Sequence, residues 1–247
     1  MALCALVGLV LLVSGAWSLP RPAALVRPQP PASTASDATS ATSSPPSTDA
    51  SAPPASSAPT TAQAEATLVP DSGPGEYERA DVAVATTADR GRLYRFDVQV
   101  EKGVDLDPDT VARALEKTLD DPRSWRSTGR VRFSLVKAGE PADLHAYLVT
   151  PGTTDRLCAP LLTRGEVSCR SGSKIVLNAK RWVLGAEAYG SDVAGYRDYL
   201  ANHEFGHALG HSHVGCPRSG RPAPVMLQQT KGLQGCTKNP WPSVTQG

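Results

Sequence analysis

The sequence predicts one folded domain of the mixed α+β class, preceded by a long stretch that does not fold. Three observations lead to this prediction: a segment of low complexity ends near residue 70, strand-like and helix-like patterns follow it, and one long helix comes late. The part from Asp71 to Gly247, about 175 residues, is long enough to bury a single hydrophobic core. We therefore expect a layered domain in which a β-sheet packs on helices.

Residues 1–19 are apolar and uncharged. A run of this length predicts a secretory signal peptide or an N-terminal membrane anchor. No Lys or Arg precedes the run and two Arg follow it, which is opposite to the charge pattern of most exported segments. A buried helix of a cytosolic protein is the alternative, but the composition of the residues that follow argues against it.

Residues 20–70 form the predicted linker. Between Pro28 and Thr67, 35 of 40 residues are Pro, Ala, Ser or Thr. Such a composition buries too little apolar surface to offset the entropy lost on ordering, so we expect this segment to be disordered. The folded domain then spans 71–247. We expect it outside the cell, either secreted or anchored at the outer face of the cytoplasmic membrane.

Hydrophobic periodicity predicts the elements of the first half of the domain. Leu93–Val100 alternates apolar and polar residues, as a half-buried strand does. A helix follows, with Asp107 as its N-cap, Pro108 in its first turn and an apolar residue at every fourth position. Two further strands are predicted, at Arg130–Val136 and at Asp143–Thr150.

The second half contains a short strand and a long helix. We predict that Cys158–Cys169 forms a disulfide-closed hairpin around "TRGE" and that Lys174–Asn178 forms a strand. This strand is either an edge strand that receives an extended peptide by β-augmentation or an interior strand. Asp192–Leu209 is predicted to be a helix, and the chain beyond it is rich in Pro and Gly.

The predicted domain contains four cysteines, namely Cys158, Cys169, Cys216 and Cys236. An even number of cysteines in an exported domain is typical of disulfides. Three pairings are possible, and we favour the two local ones, 158–169 and 216–236. A second metal site is the alternative, although neither pair has the CxxC spacing of thiolate zinc sites.

Four of the five histidines lie between His203 and His213. His203 and His207 are four residues apart on the predicted helix, so both rings leave the same face and can bind one zinc ion. The third ligand is either His211 or His213. A continued helix would place the Cα of His211 about 12 Å from that of His203, which is too far for convergence. Gly210 can instead end the helix and turn the chain, so we predict His203, His207 and His213 as the metal ligands.

Glu204 directly follows the first predicted ligand. Three neutral imidazoles leave zinc with its double positive charge and one coordination position open to water. A carboxylate beside that water can remove its proton and later pass the proton to a leaving amine. Glu204 is therefore the predicted catalytic residue, and hydrolysis of an amide bond is the predicted reaction.

The pattern HExxHxxGxxH resembles the zinc-binding motif of the metzincin peptidases, and "HEFGHALG" is similar to its matrixin form. Metzincins contain a Met-turn beneath the metal, and the resemblance implies this role for Met226, thirteen residues after His213. It also implies a metzincin-like fold, in which a mixed β-sheet packs on helices and the active-site helix precedes the turn. Two features differ from matrixins: no cysteine switch is present, because no cysteine lies between Cys4 and Cys158, and only His145 remains for a second zinc site.

The stretches "DDPRSW", "RPAPVM", "QQTKGL" and "NPWP" resemble a family of actinobacterial secreted proteins of unknown function, over roughly residues 76–242. Together the resemblances imply an exported endopeptidase with one catalytic Zn²⁺ that acts on proteins or peptides, cell-wall peptides included. A net charge of +1 gives no field for nucleic acid, and we expect a monomer. The alternative is a non-catalytic, zinc-stabilised module that binds the cell surface or the cell wall.

Overall fold

The computed structural model describes residues 69–245. The predicted export segment and nearly all of the predicted linker lie outside these residues. Within them, six strands form one sheet: β1 (Tyr77–Arg79), β2 (Arg92–Glu101), β3 (Val131–Leu135), β4 (Leu144–Val149), β5 (Cys169–Ser171) and β6 (Lys174–Asn178). The four α-helices of this part of the chain are α1 (Pro108–Leu119), α2 (Pro151–Cys158), α3 (Ala179–Leu184) and α4 (Val193–Ala208). The predicted mixed α+β class is confirmed.

The sheet combines parallel and antiparallel strands. Its order is β1-β2-β4-β6-β5, and β3 pairs with the first half of β2. The strands β2, β3, β4 and β6 run parallel, whereas the short strands β1 and β5 are antiparallel to their neighbours. Parallel neighbours need crossover connections, and α1 and α2 lie in two of them. The strand Lys174–Asn178 is therefore an interior strand, and the three-residue strand β5 forms the edge beside it.

Helices α1 and α4 pack on one face of the sheet and form the main core. Ile175 and Leu177 of β6 point into this core and are fully buried. Phe205 of α4 contacts Phe96 and Phe133 edge to face, with ring centroids 5.3 and 5.4 Å apart. Edge-to-face pairs stabilise packing by about 0.5–1.5 kcal/mol each beyond the area that they bury. This contact fixes α4 against the sheet, and with it the histidines that the helix carries.

The predicted starts of the two long helices are confirmed. The side chain of Asp107 accepts a hydrogen bond of 2.8 Å from the Thr110 backbone N–H, and Pro108 occupies the first turn of α1. The side chain of Asp192 accepts one of 2.9 Å from the Gly195 backbone N–H at the start of α4. Each carboxylate satisfies a backbone donor that the helix itself leaves unpaired.

The predicted hairpin at Cys158–Cys169 is wrong. The residues before it form α2, because the Thr150 side chain caps the backbone N–H of Thr153 and Pro151 fits the first helical turn. Cys158 therefore ends a helix, and its disulfide ties that helix to the edge strand β5. The hairpin lies further along the chain, between β5 and β6.

Both favoured disulfides are present, Cys158–Cys169 and Cys216–Cys236. Two disulfides fit an extracellular location, since thiols stay reduced in the cytosol. Among residues 69–245, no helix combines the length and the apolar character that crossing a membrane requires.

Candidate metal centre

Helix α4 carries two of the three predicted ligands and ends at a glycine. The Gly210 N–H donates to the His207 carbonyl at 3.1 Å, and the His211 N–H donates to the Gly206 carbonyl at 3.0 Å. This pair of bonds is the Schellman pattern of a helix end, which requires a left-handed residue. Gly210 has φ +92°. The chain therefore turns away from the helix at Gly210, and His213 comes back towards it.

The Nε2 atoms of the three predicted ligands converge. That of His213 lies 3.2 Å from that of His203 and 3.0 Å from that of His207, and all three lie within 4.8 Å of one another. Ligand nitrogens about 2.0–2.1 Å from a tetrahedral zinc ion lie roughly 3.3 Å apart. Both distances to His213 are near this spacing, as expected for ligands of one zinc ion.

The opposite ring nitrogens of two of these histidines are held by backbone carbonyls. His203 Nδ1–H donates to the Val225 carbonyl and His207 Nδ1–H to the His211 carbonyl, each at 2.8 Å. A neutral ring whose proton is on Nδ1 presents a lone pair on Nε2. Burial lowers the pKa of His203 to about 3 and also lowers the pKa of His207 and His213. Three neutral imidazoles whose Nε2 atoms converge in this way are a donor set that fits zinc.

Glu204 is buried beside this cluster. Its side chain lines the same cleft as the three histidines, the residue is 3 % exposed, and its Oε2 has no hydrogen-bond partner among the described residues. Burial raises the pKa of the Glu204 carboxyl to about 8. Burying a carboxyl group without a partner destabilises a fold, and perturbed carboxyl groups in clefts are concentrated at functional sites.

The turn Pro224–Leu227 supports the cluster from the next part of the chain. Its Leu227 N–H donates to the Pro224 carbonyl at 2.9 Å, which closes the turn. The Val225 carbonyl holds His203, as described above, and the Met226 carbonyl accepts a bond of 3.2 Å from the Val214 N–H. Successive carbonyls of one turn thus bind the first predicted ligand and the residue that follows the third.

The Met226 side chain is buried against α4. It is 2 % exposed, and a Cβ added at Gly206 would lie 2.6 Å from its Sδ. The same Cβ would lie 2.7 Å from Cζ2 of Trp125. Both distances are shorter than any real contact, so only glycine at 206 lets the helix lie this close to Met226 and Trp125.

Tyr199 is a supporting residue that the sequence analysis missed. Its hydroxyl donates to the Leu227 carbonyl at 3.0 Å and accepts from the Gln229 N–H at 2.9 Å. The ring packs against that of His203, with centroids 5.2 Å apart. Its position four residues before His203 puts it on the same face of the helix, and this spacing was the signal that could have identified it.

The other two histidines lie outside the Nε2 cluster. The ring of His211 stacks on Trp125 with centroids 4.3 Å apart. His211 contributes to the candidate metal site only through its backbone carbonyl, which accepts the hydrogen bond from His207 Nδ1. His145 Nδ1 lies 3.1 Å from both carboxylate oxygens of Asp97 on the neighbouring strand. His145 is therefore part of a cross-strand pair within the sheet.

A cleft of about 470 Å³ opens over the cluster. Its walls come from the loop between α2 and β5, from the edge strand β5 and from the segment after the Pro224–Leu227 turn. The positive charges of Arg170 and Lys231 reach the cluster, and they contribute to the lowered pKa of His207 and His213 respectively. Among the residues that line the cleft are Leu161, Leu162, Thr163, Arg170, Tyr199, Glu204, Thr230 and Lys231.

Residues 64–242 match the family model described as "Protein of unknown function (DUF3152)". The match covers more than half of the chain and includes the histidine cluster, Glu204 and Met226. No curated protein and no solved structure matches the chain. The chain therefore belongs to the DUF3152 family.

Proposed function

We propose that this protein is an exported, zinc-dependent endopeptidase of metzincin type. The observation that carries the proposal is the convergence of three histidine Nε2 atoms beside a buried carboxyl group whose Oε2 has no hydrogen-bond partner among residues 69–245. His203, His207 and His213 would hold the ion, and Glu204 is the catalytic residue. A purely structural metal site has no need of a carboxyl group in this position, since three histidines and a fourth ligand complete it.

The chemistry follows from the position of Glu204 in the cleft. Zinc, when bound, supplies positive charge that polarises a peptide carbonyl and lowers the pKa of water. The Glu204 carboxylate removes a proton from a water molecule as the water oxygen bonds to the carbonyl carbon. Glu204 then passes this proton to the amide nitrogen as the C–N bond breaks. One side chain can do both because it lines the same cleft as the three histidines.

The metzincin assignment is supported by the surroundings of Met226. The methionine lies in a closed turn, is buried against Gly206 of α4, and is adjacent to the carbonyl that orients His203. We assign the Pro224–Leu227 turn the role of the Met-turn on this basis. Its contribution is to fix the ring of His203 and the segment that carries His213.

Metal analysis and peptide hydrolysis by the full chain test the proposal. We expect one zinc ion per chain and cleavage of internal bonds in a quenched-fluorescence peptide library. Glu204→Gln should retain zinc and lose roughly 100-fold or more in kcat/KM, the usual contribution of a general base. Glu140→Gln, an exposed residue outside the cleft, serves as the control.

Two results would contradict this function. Hydrolysis by Glu204→Gln at the rate of the unmodified protein would remove the catalytic role of Glu204. Stoichiometric zinc without any turnover would instead support a non-catalytic, zinc-stabilised module.

A further inference from the structure

A second cleft of about 420 Å³ adjoins the main one. The two share Leu162, Thr163, Val167, Thr230 and Lys231 as lining residues, so they are continuous. The second cleft also has Arg164, Arg181 and Glu166 in its walls. We call this second cleft the basic annex, because its walls contain three cations and one carboxylate.

The single carboxylate of the annex is already neutralised. Glu166 forms ion pairs with Arg181 and with Lys180, the latter at 3.0 Å. Arg164 and Lys231 are exposed and make no ion pair among the described residues. The same holds for Arg170, which lines the main cleft. Arg164, Arg170 and Lys231 therefore present positive charges that no ion pair within residues 69–245 compensates.

The wall that carries Arg164 is held in place before any ligand binds. The carboxylate of Asp155 accepts hydrogen bonds from the Thr163 hydroxyl and, at 2.7 Å, from the Gly165 N–H. Asn178 Nδ2 donates to the Gly165 carbonyl at 2.9 Å. Arg181 Nε donates to the Glu166 carbonyl at 2.7 Å, and a disulfide closes the loop at its ends. A loop backbone fixed in this way loses little entropy when a ligand binds.

We propose that the basic annex recognises a carboxylate on the substrate, so that the enzyme selects anionic peptides. This inference rests on the proposed function, which makes the ligand of the cleft a peptide. Lys231 lines both clefts. It would bind the substrate carboxylate close to the peptide bond that lies beside Glu204. An exposed ion pair strengthens binding by a factor of about two to five. Two such pairs, from Lys231 and Arg164, predict roughly tenfold selectivity.

The carboxylate can come from an acidic side chain or from the C-terminus of the peptide. Peptide pairs that differ only as Glu or Gln at each position test the first source. Peptides with a free or an amidated C-terminus test the second. We would measure kcat/KM for each pair with the full chain, and the affinity of the same peptides for Glu204→Gln by fluorescence anisotropy. The second measurement needs no turnover.

We expect the anionic member of a pair to be preferred about tenfold at low salt, and less at high salt because exposed charges are screened. The double change Lys231→Gln with Arg164→Gln should reduce this preference below about twofold. Lys117→Gln removes an exposed charge from α1, outside both clefts, and should leave the preference intact.

Each outcome decides between the two proposals. Equal treatment of anionic and neutral peptides by the unmodified protein, or selectivity that survives the double change, overturns carboxylate recognition and leaves the peptidase proposal standing. Selective binding without turnover supports the annex and contradicts the peptidase proposal. Neither binding nor cleavage of any peptide overturns both.

Discussion

Replacing Gly210 with alanine should weaken zinc binding by about 5- to 30-fold. Gly210 has φ +92°, and a Cβ at this position would have no heavy atom within 4 Å. Steric clash with neighbours therefore contributes nothing, and the change isolates the strain of a left-handed backbone, about 1–2 kcal/mol for a residue other than glycine. We expect the chain after α4 to relax this strain when no metal is bound. Zinc requires His213 in place, so the strain opposes binding, and 1.4 kcal/mol corresponds to a factor of ten in affinity.

Competition with a chelator of known zinc affinity measures this effect, and urea unfolding with and without zinc measures the stability. Gly172→Ala is the matched control: it also changes an open, left-handed glycine, with φ +61°, in the turn between β5 and β6. It should lower the free energy of unfolding by a similar amount and leave zinc affinity unchanged. Gly210→Asn should recover part of the affinity, because asparagine tolerates this conformation better. Unchanged zinc affinity in Gly210→Ala would refute the role assigned to this bend.

Three further predictions follow from the same region. Gly206→Ala should lower the free energy of unfolding by about 1–3 kcal/mol although alanine favours helices, because its Cβ would overlap Met226 and Trp125; a variant as stable as the parent would contradict this packing. In a chelator, Glu204→Gln should exceed the parent in stability at pH 8 but not at pH 5. Because the pKa of Glu204 is raised, the folded parent keeps a proton that its unfolded state releases between about pH 4.5 and about pH 8, so the parent loses stability as pH rises through this range. A stability difference between the two proteins that is independent of pH would exclude this cause. Replacing both cysteines of the Cys216–Cys236 disulfide with serine, which opens a loop of 20 residues, should lower the free energy of unfolding by about 3 kcal/mol and weaken zinc binding; intact zinc affinity would show that the turn needs no covalent support.

Local signals in the sequence were sufficient for the elements whose ends are set by nearby residues. The helix after Asp107 begins where its predicted cap indicates, because a side chain three residues away satisfies the first free backbone donors. The helix predicted from Asp192 also begins there, and the structure shows the same kind of cap. The hairpin predicted at Cys158–Cys169 is wrong because Thr150 and Pro151 start a helix that runs to Cys158. A disulfide constrains the distance between two residues and says nothing of the structure between them.

The position of the strand Lys174–Asn178 depended on other parts of the chain. Its sequence is equally suitable for an edge or an interior position, since either one can bury its apolar residues. Pairing with β4 on one side and with β5 on the other makes it an interior strand. Such pairings join residues distant in sequence, so no local pattern encodes them.

The chain's own order of residues determined which side chains could bind a metal: two histidines one helical turn apart, a glycine able to reverse the backbone, and a third histidine three positions later. Only the tertiary structure decided their environment. It placed two backbone carbonyls behind the rings, buried Glu204 with no partner for its Oε2 in the described part of the chain, and gathered Arg164, Arg181 and Lys231 around one cleft. The physical reason is that spacing along a helix fixes direction locally, whereas burial and electrostatic field arise from residues that are close only after the chain has folded.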